Sequence, residues 1–279
     1  MSALRDRPGV ASRRKGGQAT SKVVTGDIAV RLYQAALLLA VPLVWHLAGG
    51  QWVSEDVISS PAGVYGQLVS WFDTGEAVSA LGATLTAVGR GLLLGVVFGM
   101  LVGLAVALAP SLDQLVRPLI APLFALPKTA LMPLFILWFG ITPRQRVVFT
   151  AVVVFFFIFY SVYNGVKEVP HSMDNAVRMM GATRYKLATS LYIPASLGWL
   201  IAGLRIAVPY AFVATTTAEI VASPEGVGHL IRLSGDLFNT AGIFAGIILV
   251  SVPAVAAGTA VNVIENRTAP WRLQQAARP

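Results

Sequence analysis

Charged and hydroxyl side chains within apolar stretches are the residues of this sequence best suited to act on a small solute. Lys128, Arg205 and Glu219 each lie in such a stretch, and the consecutive threonines Thr215 to Thr217 share the stretch of Arg205 and Glu219. Ammonium, guanidinium and hydroxyl groups donate hydrogen bonds to oxyanions, and the three charged groups could also relay protons. The sequence therefore predicts a polar site for an anion or for protons within an apolar protein.

Other chemistry is excluded by what the sequence lacks. It contains no cysteine, which rules out a disulfide framework, a thiolate metal site and a cysteine nucleophile. Its three histidines, His46, His171 and His229, lie in unrelated segments without the spacing of metal ligands. No G-x4-G-K-[ST] phosphate-binding motif occurs, because residues 16–22, which come nearest, lack the second glycine. We predict no metal site, no enzyme activity and no ATP bound by this chain.

The overall composition places the chain in a lipid bilayer. Of its 279 residues, 56% are apolar and only 12% are charged, and the mean hydropathy is +0.70. A soluble domain carries about a quarter charged residues, and the shortfall here lies in several long stretches with almost none. We predict an all-α membrane protein with six transmembrane helices, at roughly residues 30–48, 78–109, 116–140, 147–166, 196–221 and 240–263.

Charge asymmetry orients these spans. Seven basic residues precede the first apolar run against two acidic ones, which favours a cytoplasmic N-terminus, and six spans return the C-terminus to the same side. The loop at 49–77 has four acidic residues and no basic one, as expected on the outer side. Counting the spans from a cytoplasmic N-terminus also places Arg144 and Arg146 outside, although basic residues are usually enriched in cytoplasmic loops. The predicted organisation is a basic tail at 1–27, a membrane domain at 28–265 and a cytoplasmic tail at 266–279.

Glycine and proline patterns place two of these spans inside the helix bundle. The second span has a glycine at every fourth position, all on one helical face: Gly91, Gly95, Gly99 and Gly103. Another helix must pack closely there, either as a fixed contact or as one that moves in a conformational cycle. The third span is interrupted by Pro118, Pro122, Pro127 and Pro133. The backbone groups that these prolines free need protein or water partners, so this span is either a kinked packing helix or one that lines a pathway.

The fifth span is predicted to carry one polar face. We take Arg205 as the zero direction of an ideal helix that turns by about 100° per residue. Phe212, Thr216 and Glu219 then lie at about −20°, +20° and −40°. This face could line a pathway. The alternative places Arg205 at the cytoplasmic surface and gives Glu219 a capping or pairing role near the outer one.

The loop at 167–195 is predicted to form two short helices. Ser172 is the expected N-cap of the first helix, and Gly181 follows its end. Its apolar face has helical spacing and consists of Met173, Ala176, Val177 and Met180. Thr183 is expected to cap the second helix and Pro194 to end it. The polar sides of the pair carry Asp174, Asn175, Arg178, Arg184 and Lys186.

Such a helical pair offers a compact apolar surface with a charged rim to a partner on the cytoplasmic side. The alternative is a pair that lies in the lipid interface. A DNA-reading helix-turn-helix has a similar outline, but this pair is tethered between two spans and lacks a third supporting helix. We therefore predict no nucleic-acid partner.

The sequence resembles a known family at this loop and beyond it. Asn175-Ala176-Val177-x3-Gly181-x9-Leu191-x-Ile193-Pro194 resembles the Glu-Ala-Ala-x3-Gly-x9-Ile-x-Leu-Pro loop of permease subunits in binding-protein-dependent ABC importers. Four further landmarks resemble the nitrate, sulfonate and taurine branch: Trp138-Phe139-Gly140, Gly203-Leu204-Arg205, Ala218-Glu219-Ile220 and Gly226-Val227-Gly228. The resemblance covers most of residues 80 to 265. The loop departs from the family pattern at Asn175, which replaces glutamate, and at Val177, which replaces alanine.

This resemblance implies a six-helix permease of the type I importer fold that works in the inner membrane as a pair. We predict two copies of this chain, with a heterodimer that includes a similar second permease as the alternative. The loop would couple it to cytoplasmic subunits that bind ATP and Mg²⁺, through Met173, Asp174, Asn175, Ala176, Val177, Arg178, Met180, Gly181, Ala182 and Arg184. An extracytoplasmic binding protein would deliver a sulfonate, taurine or nitrate-like anion, with bicarbonate and a pyrimidine-type vitamin precursor as alternatives. The alternative function is a secondary transporter or channel driven by an ion gradient. The candidate pathway residues are Lys128, Arg205, Thr215, Thr216, Thr217 and Glu219.

Overall fold

The computed structural model describes residues 55–268 and, in a separate unit, scattered positions between residues 30 and 45. Where they are described, the positions between 30 and 45 are helical. The first predicted span at 30–48 otherwise lies outside the described residues, as does the basic tail at 1–27. Of the predicted tail at 266–279 only residues 266–268 are described, and they continue the last helix.

Residues 55–268 form α-helices joined by short connections, and no strand occurs in this part of the chain. The helices are α1 (Glu55–Ile58), α2 (Pro61–Asp73), α3 (Glu76–Leu108), α4 (Pro110–Ala125), α5 (Met132–Phe139), α6 (Pro143–Lys167), α7 (His171–Met179), α8 (Arg184–Leu187), α9 (Ile193–Ala222), α10 (Val227–Asp236) and α11 (Thr240–Thr268). A 3₁₀ turn at Lys128–Leu131 precedes α5, and a π turn at Ala188–Tyr192 joins α8 to α9. The all-α class predicted from composition is confirmed.

Four stretches of this unit are long and apolar enough to cross a membrane: Glu76–Leu108, Pro143–Lys167, Arg184–Ala222 and Thr240–Glu265. A fifth is a bent pair, in which Pro110–Ala125 and Lys128–Phe139 meet at 90°. The bend falls at Leu126 and Pro127, whereas Pro118 and Pro122 are accommodated within α4. Together these stretches match the five spans predicted from residue 78 onward, and the interruption of the third span is confirmed.

Close packing of α3 on α6 places the glycine repeat at the centre of the unit. The four glycines face residues of α6 that are also spaced by four: Thr150, Val154, Ile158 and Val162. A Cβ atom at Gly95 would lie 2.6 Å from the Cβ of Val154, and one at Gly99 would lie 2.9 Å from the Cβ of Ile158. Since real Cβ atoms do not approach so closely, glycine is what lets the two backbones meet. The predicted close contact is confirmed, and α6 is the helix that makes it.

Glycines also allow α9 to pack closely on α6. A Cβ at Gly203 of α9 would lie 2.7 Å from the Cβ of Ser161, and one at Gly165 of α6 would lie 2.7 Å from the Cβ of Trp199. Buried apolar residues of α3, α6 and α9 then form one core cluster, which includes Val88, Val154, Ile158, Val162, Val208, Ala211 and Phe212. α6 is therefore the helix around which α3 and α9 are arranged.

The first helix of the loop at 167–195 forms as predicted, but its start differs. α7 begins at His171 with Pro170 at its N-cap, so Ser172 lies within the helix and is not its cap. The carbonyl of Pro170 accepts hydrogen bonds from the N–H groups of Met173 and Asp174, at 3.0 and 3.2 Å. Proline has no N–H to leave unpaired and its fixed φ suits a helix start, which explains why the helix begins before the serine.

The turn of the helical pair has the predicted geometry. Gly181 has φ +79°, and its N–H donates to the carbonyl of Arg178 at 2.9 Å, while the N–H of Ala182 donates to the carbonyl of Val177 at 3.3 Å. These two bonds are the Schellman motif, in which a left-handed residue satisfies the last carbonyls of a helix. Thr183 then caps α8, with its hydroxyl oxygen accepting from the N–H of Lys186 at 3.3 Å.

The prediction that Pro194 ends the second helix is wrong. α8 runs through the π turn at Ala188–Tyr192 into α9, and Pro194 lies in the first turn of α9. A proline inside a regular α-helix removes one hydrogen bond and clashes with the carbonyl four residues earlier. The wider π turn just before Pro194 relieves that clash, so the loop and the following span are continuous.

Candidate functional site

The helical pair exposes methionines. Met173 is 54% exposed, Met179 86% and Met180 83%, and we call these three residues the methionine face. The predicted apolar face is corrected in part, since Ala176 and Val177 are half-buried and Met179 was not included. Flexible, polarisable methionine side chains adapt well to a partner surface. Exposed apolar area of this kind makes the helical pair a candidate interaction surface.

Asp174 links α7 to the π turn that precedes α9. Its carboxylate accepts from Nε of Arg178 at 2.9 Å and from the hydroxyl of Tyr192, in the π turn, at 2.8 Å. The Arg178 guanidinium, followed by Tyr192, holds the pKa of the Asp174 carboxyl below its usual value, and the bond with Asp174 raises the pKa of Arg178. Asp174 was predicted on a polar side, but nothing in the sequence indicated Tyr192 as its partner.

The other predicted residues of the loop surround the turn. Asn175 and Arg184 are exposed, and Ala182 is half-buried beyond Gly181. The turn at Gly181 is thus flanked on both sides by exposed or half-buried residues of the predicted set.

Lys128 lies at the bend of the third span. Its ammonium donates to the carbonyl of Phe124 at 3.1 Å and lies 4.9 and 5.0 Å from the ring centroids of Phe124 and Phe156. Aromatic faces attract a cation without neutralising it. Within residues 55–268 no carboxylate forms an ion pair with Lys128.

The residues of the predicted polar face of α9 lie in different environments. Arg205 has a side chain that is 61% exposed, with Nη1 3.7 Å from a carboxylate oxygen of Glu265 near the end of α11. Glu219, by contrast, is completely buried. The polar residues of α9 thus run from an exposed end at Arg205 to a buried end at Glu219, because the two ends of the helix have different neighbours.

The three threonines also point to different partners. The hydroxyl of Thr215 is buried and lies 2.7 Å from that of Thr150 in α6. Thr217 donates to the carbonyl of Val213 at 2.8 Å. The hydroxyl of Thr216 is buried without a hydrogen-bond partner among the described residues. Only this last group keeps an unused donor.

Glu219 joins three elements at the end of the bundle opposite the loop. The hydroxyl of Thr84 in α3 lies 2.8 and 3.0 Å from its carboxylate oxygens, and the N–H of Gly228 donates to it at 3.0 Å. Thr84 in turn accepts from the N–H of Val227 at 2.9 Å. These N–H groups are the free donors at the start of α10, where a negative charge is favoured. This is the capping and pairing role given as the alternative for Glu219.

Arg146 completes this buried cluster. It is 4% exposed, and its Nη1 lies 3.6 Å from Glu219 and donates to the hydroxyl of Ser223 at 3.2 Å and to the carbonyl of Glu225 at 3.0 Å. It also pairs with the Glu225 carboxylate. The positive charge of Arg146 is thus neutralised within the protein. The sequence indicated Arg146 only as a basic residue in a loop predicted to be outside, and it gave no indication of Thr84.

Two glycines let α10 start directly over Glu219. Gly226 has φ +105°, and a Cβ there would overlap the Glu219 carboxylate. A Cβ at Gly228 would lie 2.6 Å from the Cβ of Glu219. The Gly-Val-Gly landmark is therefore explained by close approach to a buried carboxylate.

The order of the helices, the bent third span and the capped helical pair before α9 define a membrane permease. The chain belongs to the family of binding-protein-dependent transport system inner membrane components, whose sequence profile matches residues 95–270. The resemblance found at the loop and the later landmarks is confirmed.

Named relatives agree with this family. The formylaminopyrimidine transport permease ThiX of Halalkalibacterium halodurans is 34% identical over 150 residues, which cover 54% of this chain and 60% of that protein. The putative aliphatic sulfonates permease SsuC of Bacillus subtilis is 26% identical over 82% of this chain and 83% of its own. The taurine permease TauC of Escherichia coli is 26% identical over 52% of this chain and 53% of its own. The matched part thus spans three fifths of the first relative and about half of the third.

Solved structures show the same fold. The MetNI methionine ABC transporter, in an inward-facing conformation, matches with a TM-score of 0.58 and 20% identity over 66% of this chain and 92% of that one. A bacterial ABC transporter that imports alginate matches with a TM-score of 0.60 and 14% identity over 90% of this chain and 97% of that one. The fold is that of type I ABC importer permeases.

Proposed function

We propose that this chain forms the translocation path of an importer driven by ATP hydrolysis in a partner subunit, and that its cargo is a small oxyanion. The observation that carries the proposal is the methionine face, an apolar surface held out by a Schellman turn and by the bonds of Asp174. A large exposed apolar tip on a rigid helix is costly in water and gains from a partner. That partner is the cytoplasmic ATP-binding subunit, which also holds ATP and Mg²⁺.

Asn175 should affect how this contact is made. It is exposed beside the methionine face, where the family pattern has a glutamate. An amide donates and accepts hydrogen bonds but carries no charge. The groove of this protein's ATPase should therefore present hydrogen-bonding groups to Asn175, with no cation needed to match a carboxylate.

A second copy of the chain is proposed to close the path. In the single chain the bent pair leaves Leu137 77% and Trp138 64% exposed, so one side of its second helix is not covered by residues 55–268. A two-fold contact would bury such surface, with lipid around the rest. The matching permease folds support the pair, since transporters of this fold need two halves to enclose a path.

Lys128 is the residue best placed to contact the cargo. Among the described residues no carboxylate neutralises its charge, and its ammonium has donors beyond the one that the Phe124 carbonyl accepts. Thr216 adds an unused hydroxyl, whereas Arg205, Thr215, Thr217 and Glu219 already have partners. We propose Lys128 and Thr216 as pathway residues and the others as supports.

The anion class follows from this unpaired cation and from the sulfonate and taurine permeases among the relatives. The formylaminopyrimidine relative makes a neutral pyrimidine the alternative cargo. Delivery by an extracytoplasmic binding protein is part of the proposal, as are two cytoplasmic termini and the loop at 167–195 on the same side.

The proposal is tested in two steps. Mass spectrometry of the chains that copurify in mild detergent should detect a soluble nucleotide-binding subunit in a one-to-one ratio with this chain. Vesicles that hold the complete complex with its binding protein should then take up a labelled alkylsulfonate or taurine when ATP is supplied on the cytoplasmic side. Uptake driven by a proton gradient without ATP would overturn the importer. ATP-driven uptake of the pyrimidine alone would overturn only the anion assignment.

A further inference from the structure

A cavity of about 360 Å³ lies between the helical pair and the ends of the spans that it joins. Its walls come from the end of α3, the start of α4, the end of α6, α7, and the segment from Arg184 to Tyr192. A cavity of this size accommodates a small ligand or the head group of a larger one. None of the residues of the methionine face lines it, although Asp174, Arg178 and Arg184 of the predicted coupling loop do.

Positive charge dominates the polar wall of this cavity. Lys167, Arg178 and Arg184 line it, against the single carboxylate of Asp174. That carboxylate is already engaged by Arg178 and by the hydroxyl of Tyr192. Lys167 donates to Asp113, which lies outside the lining, at 2.7 Å.

Arg184 is the cation left without a partner. Among residues 55–268 its guanidinium makes no hydrogen bond and no ion pair. A guanidinium presents a planar fork of donors that matches the oxygens of a phosphate group. The cavity therefore holds a free phosphate-binding group within a positively charged wall.

The rest of the cavity lining is largely apolar. It includes Leu108 and Val166, at the ends of two long helices, and Leu187, which precedes the π turn. A free anion gains nothing from such side chains, whereas an amphiphile can place its polar head by the cations and its carbon chain along the apolar residues. Basic pockets between transmembrane helices at the cytoplasmic surface bind anionic lipid head groups for this reason.

We propose that this cavity binds a phosphate group through Arg184, and that the head group of an anionic phospholipid supplies it. The bound phosphate would join α7 and α8 to the ends of α3 and α6, so that lipid helps to hold the helical pair in place. This site concerns the membrane and not the cargo, and lipid binding can be measured whether or not the importer assignment holds.

The test uses the purified full-length protein with any chains that copurify. Short-chain phosphatidylglycerol, the matching phosphatidylcholine, and inorganic phosphate are titrated in separate arms, with binding followed by native mass spectrometry. Arg184→Gln should weaken phosphatidylglycerol binding by about tenfold, since it removes a charge-assisted contact. Arg184→Lys should recover part of that loss. Lys186→Gln is the matched control, because Lys186 is exposed on the same short helix and does not line the cavity.

Two results would overturn the proposal. One is equal loss of phosphatidylglycerol in the Arg184→Gln and Lys186→Gln variants, which would mean that general surface charge holds the lipid. The other is equal binding of phosphatidylglycerol by Arg184→Gln and the parent, together with no Arg184-dependent binding of inorganic phosphate. Arg184-dependent binding of inorganic phosphate without a preference for phosphatidylglycerol would support the phosphate site and replace lipid by a free phosphate as its source.

Discussion

The hydroxyl of Thr84 lies 2.8 and 3.0 Å from the two carboxylate oxygens of Glu219, although 135 positions separate the residues. The same hydroxyl oxygen accepts from the N–H of Val227 at 2.9 Å. One threonine of α3 thus connects a carboxylate of α9 with the start of α10. This contact, with Arg146 beside it, fixes the end of the bundle opposite the helical pair.

Removing the Thr84 hydroxyl should destabilise that end of the protein. Thr84→Val keeps the shape of the side chain but leaves the buried Val227 N–H without its acceptor and removes one of the hydrogen-bond donors of Glu219. A cost of about 1 to 3 kcal/mol is expected, measured as a lower Tm in detergent. Thr86→Val is the control, since Thr86 is exposed and bonds only within its own helix, to the carbonyl of Gly82. An equal Tm for the two variants would contradict the role assigned to Thr84.

The glycine repeat gives a second prediction. Gly95→Ala places a methyl group 2.6 Å from the Cβ of Val154 and should cost about 1 to 3 kcal/mol by overpacking. Gly89→Ala on the same helix meets no atom within 4 Å and should leave Tm unchanged or raise it slightly. Thermal unfolding of the two variants side by side decides the matter. If Gly95→Ala were as stable as Gly89→Ala, α3 and α6 would not pack through this face.

A third prediction concerns the turn of the helical pair. Gly181 has open space around its Cβ position but a φ of +79°, so alanine there is strained without a clash. Gly181→Ala should cost about 1 kcal/mol, seen as faster hydrogen exchange in residues 171–187 and little change elsewhere. Gly66→Ala also has open space, without a positive φ, and is the control. Unchanged exchange in the Gly181→Ala variant would show that the Schellman turn does not hold the pair.

Low pH should destabilise α7, the helix that carries Asp174. The folded pKa of Asp174 lies below its ordinary value of 3.8, so the stabilisation from its bonds with Arg178 and Tyr192 is complete above that value and is lost as the pH falls through the folded pKa. Exchange protection of residues 171–179, corrected for intrinsic rates, should be constant from neutral pH to about pH 4 and decrease below it. Asp174→Asn should remove this pH dependence. Loss of protection already between pH 7 and 5 would assign it to another group.

Local features of the fold could be predicted from the sequence because they depend on neighbouring residues. Gly181 at a helix end and Thr183 as a cap each use contacts within one or two turns of helix. The glycine repeat shows as a spacing along one helix, although only the structure shows that α6 is its partner. Pro194 misled the prediction because a π turn, which has no clear sequence signal, relieves its clash. The helix start at Pro170 was missed since Ser172 offered a competing cap.

The buried cluster could not be predicted, for a physical reason. Its members come from α3, α6, α9 and the start of α10, and only tertiary packing brings them together. Glu219 was singled out because a carboxylate in an apolar stretch needs a partner. Arg146 stood out only as an exception to the charge rule, and the two observations were not connected until the helices were placed.

Binding of the ATPase subunit by the methionine face is tested by placing a charge within that face. Met180→Asp and Met173→Asp each put a charge into that contact, with an expected cost of about 2 kcal/mol or more. Leu237→Asp is the matched control, because Leu237 is 76% exposed at the end of α10 and lies outside the helical pair.

The most direct measurement is the amount of nucleotide-binding subunit that copurifies with each variant, with cargo-stimulated ATP hydrolysis measured on the same preparations. Both methionine variants should lose most of the bound subunit and of the stimulated hydrolysis, while Leu237→Asp should retain the bound subunit at the parent level. Full retention of the ATPase by Met180→Asp and Met173→Asp would contradict binding through the methionine face.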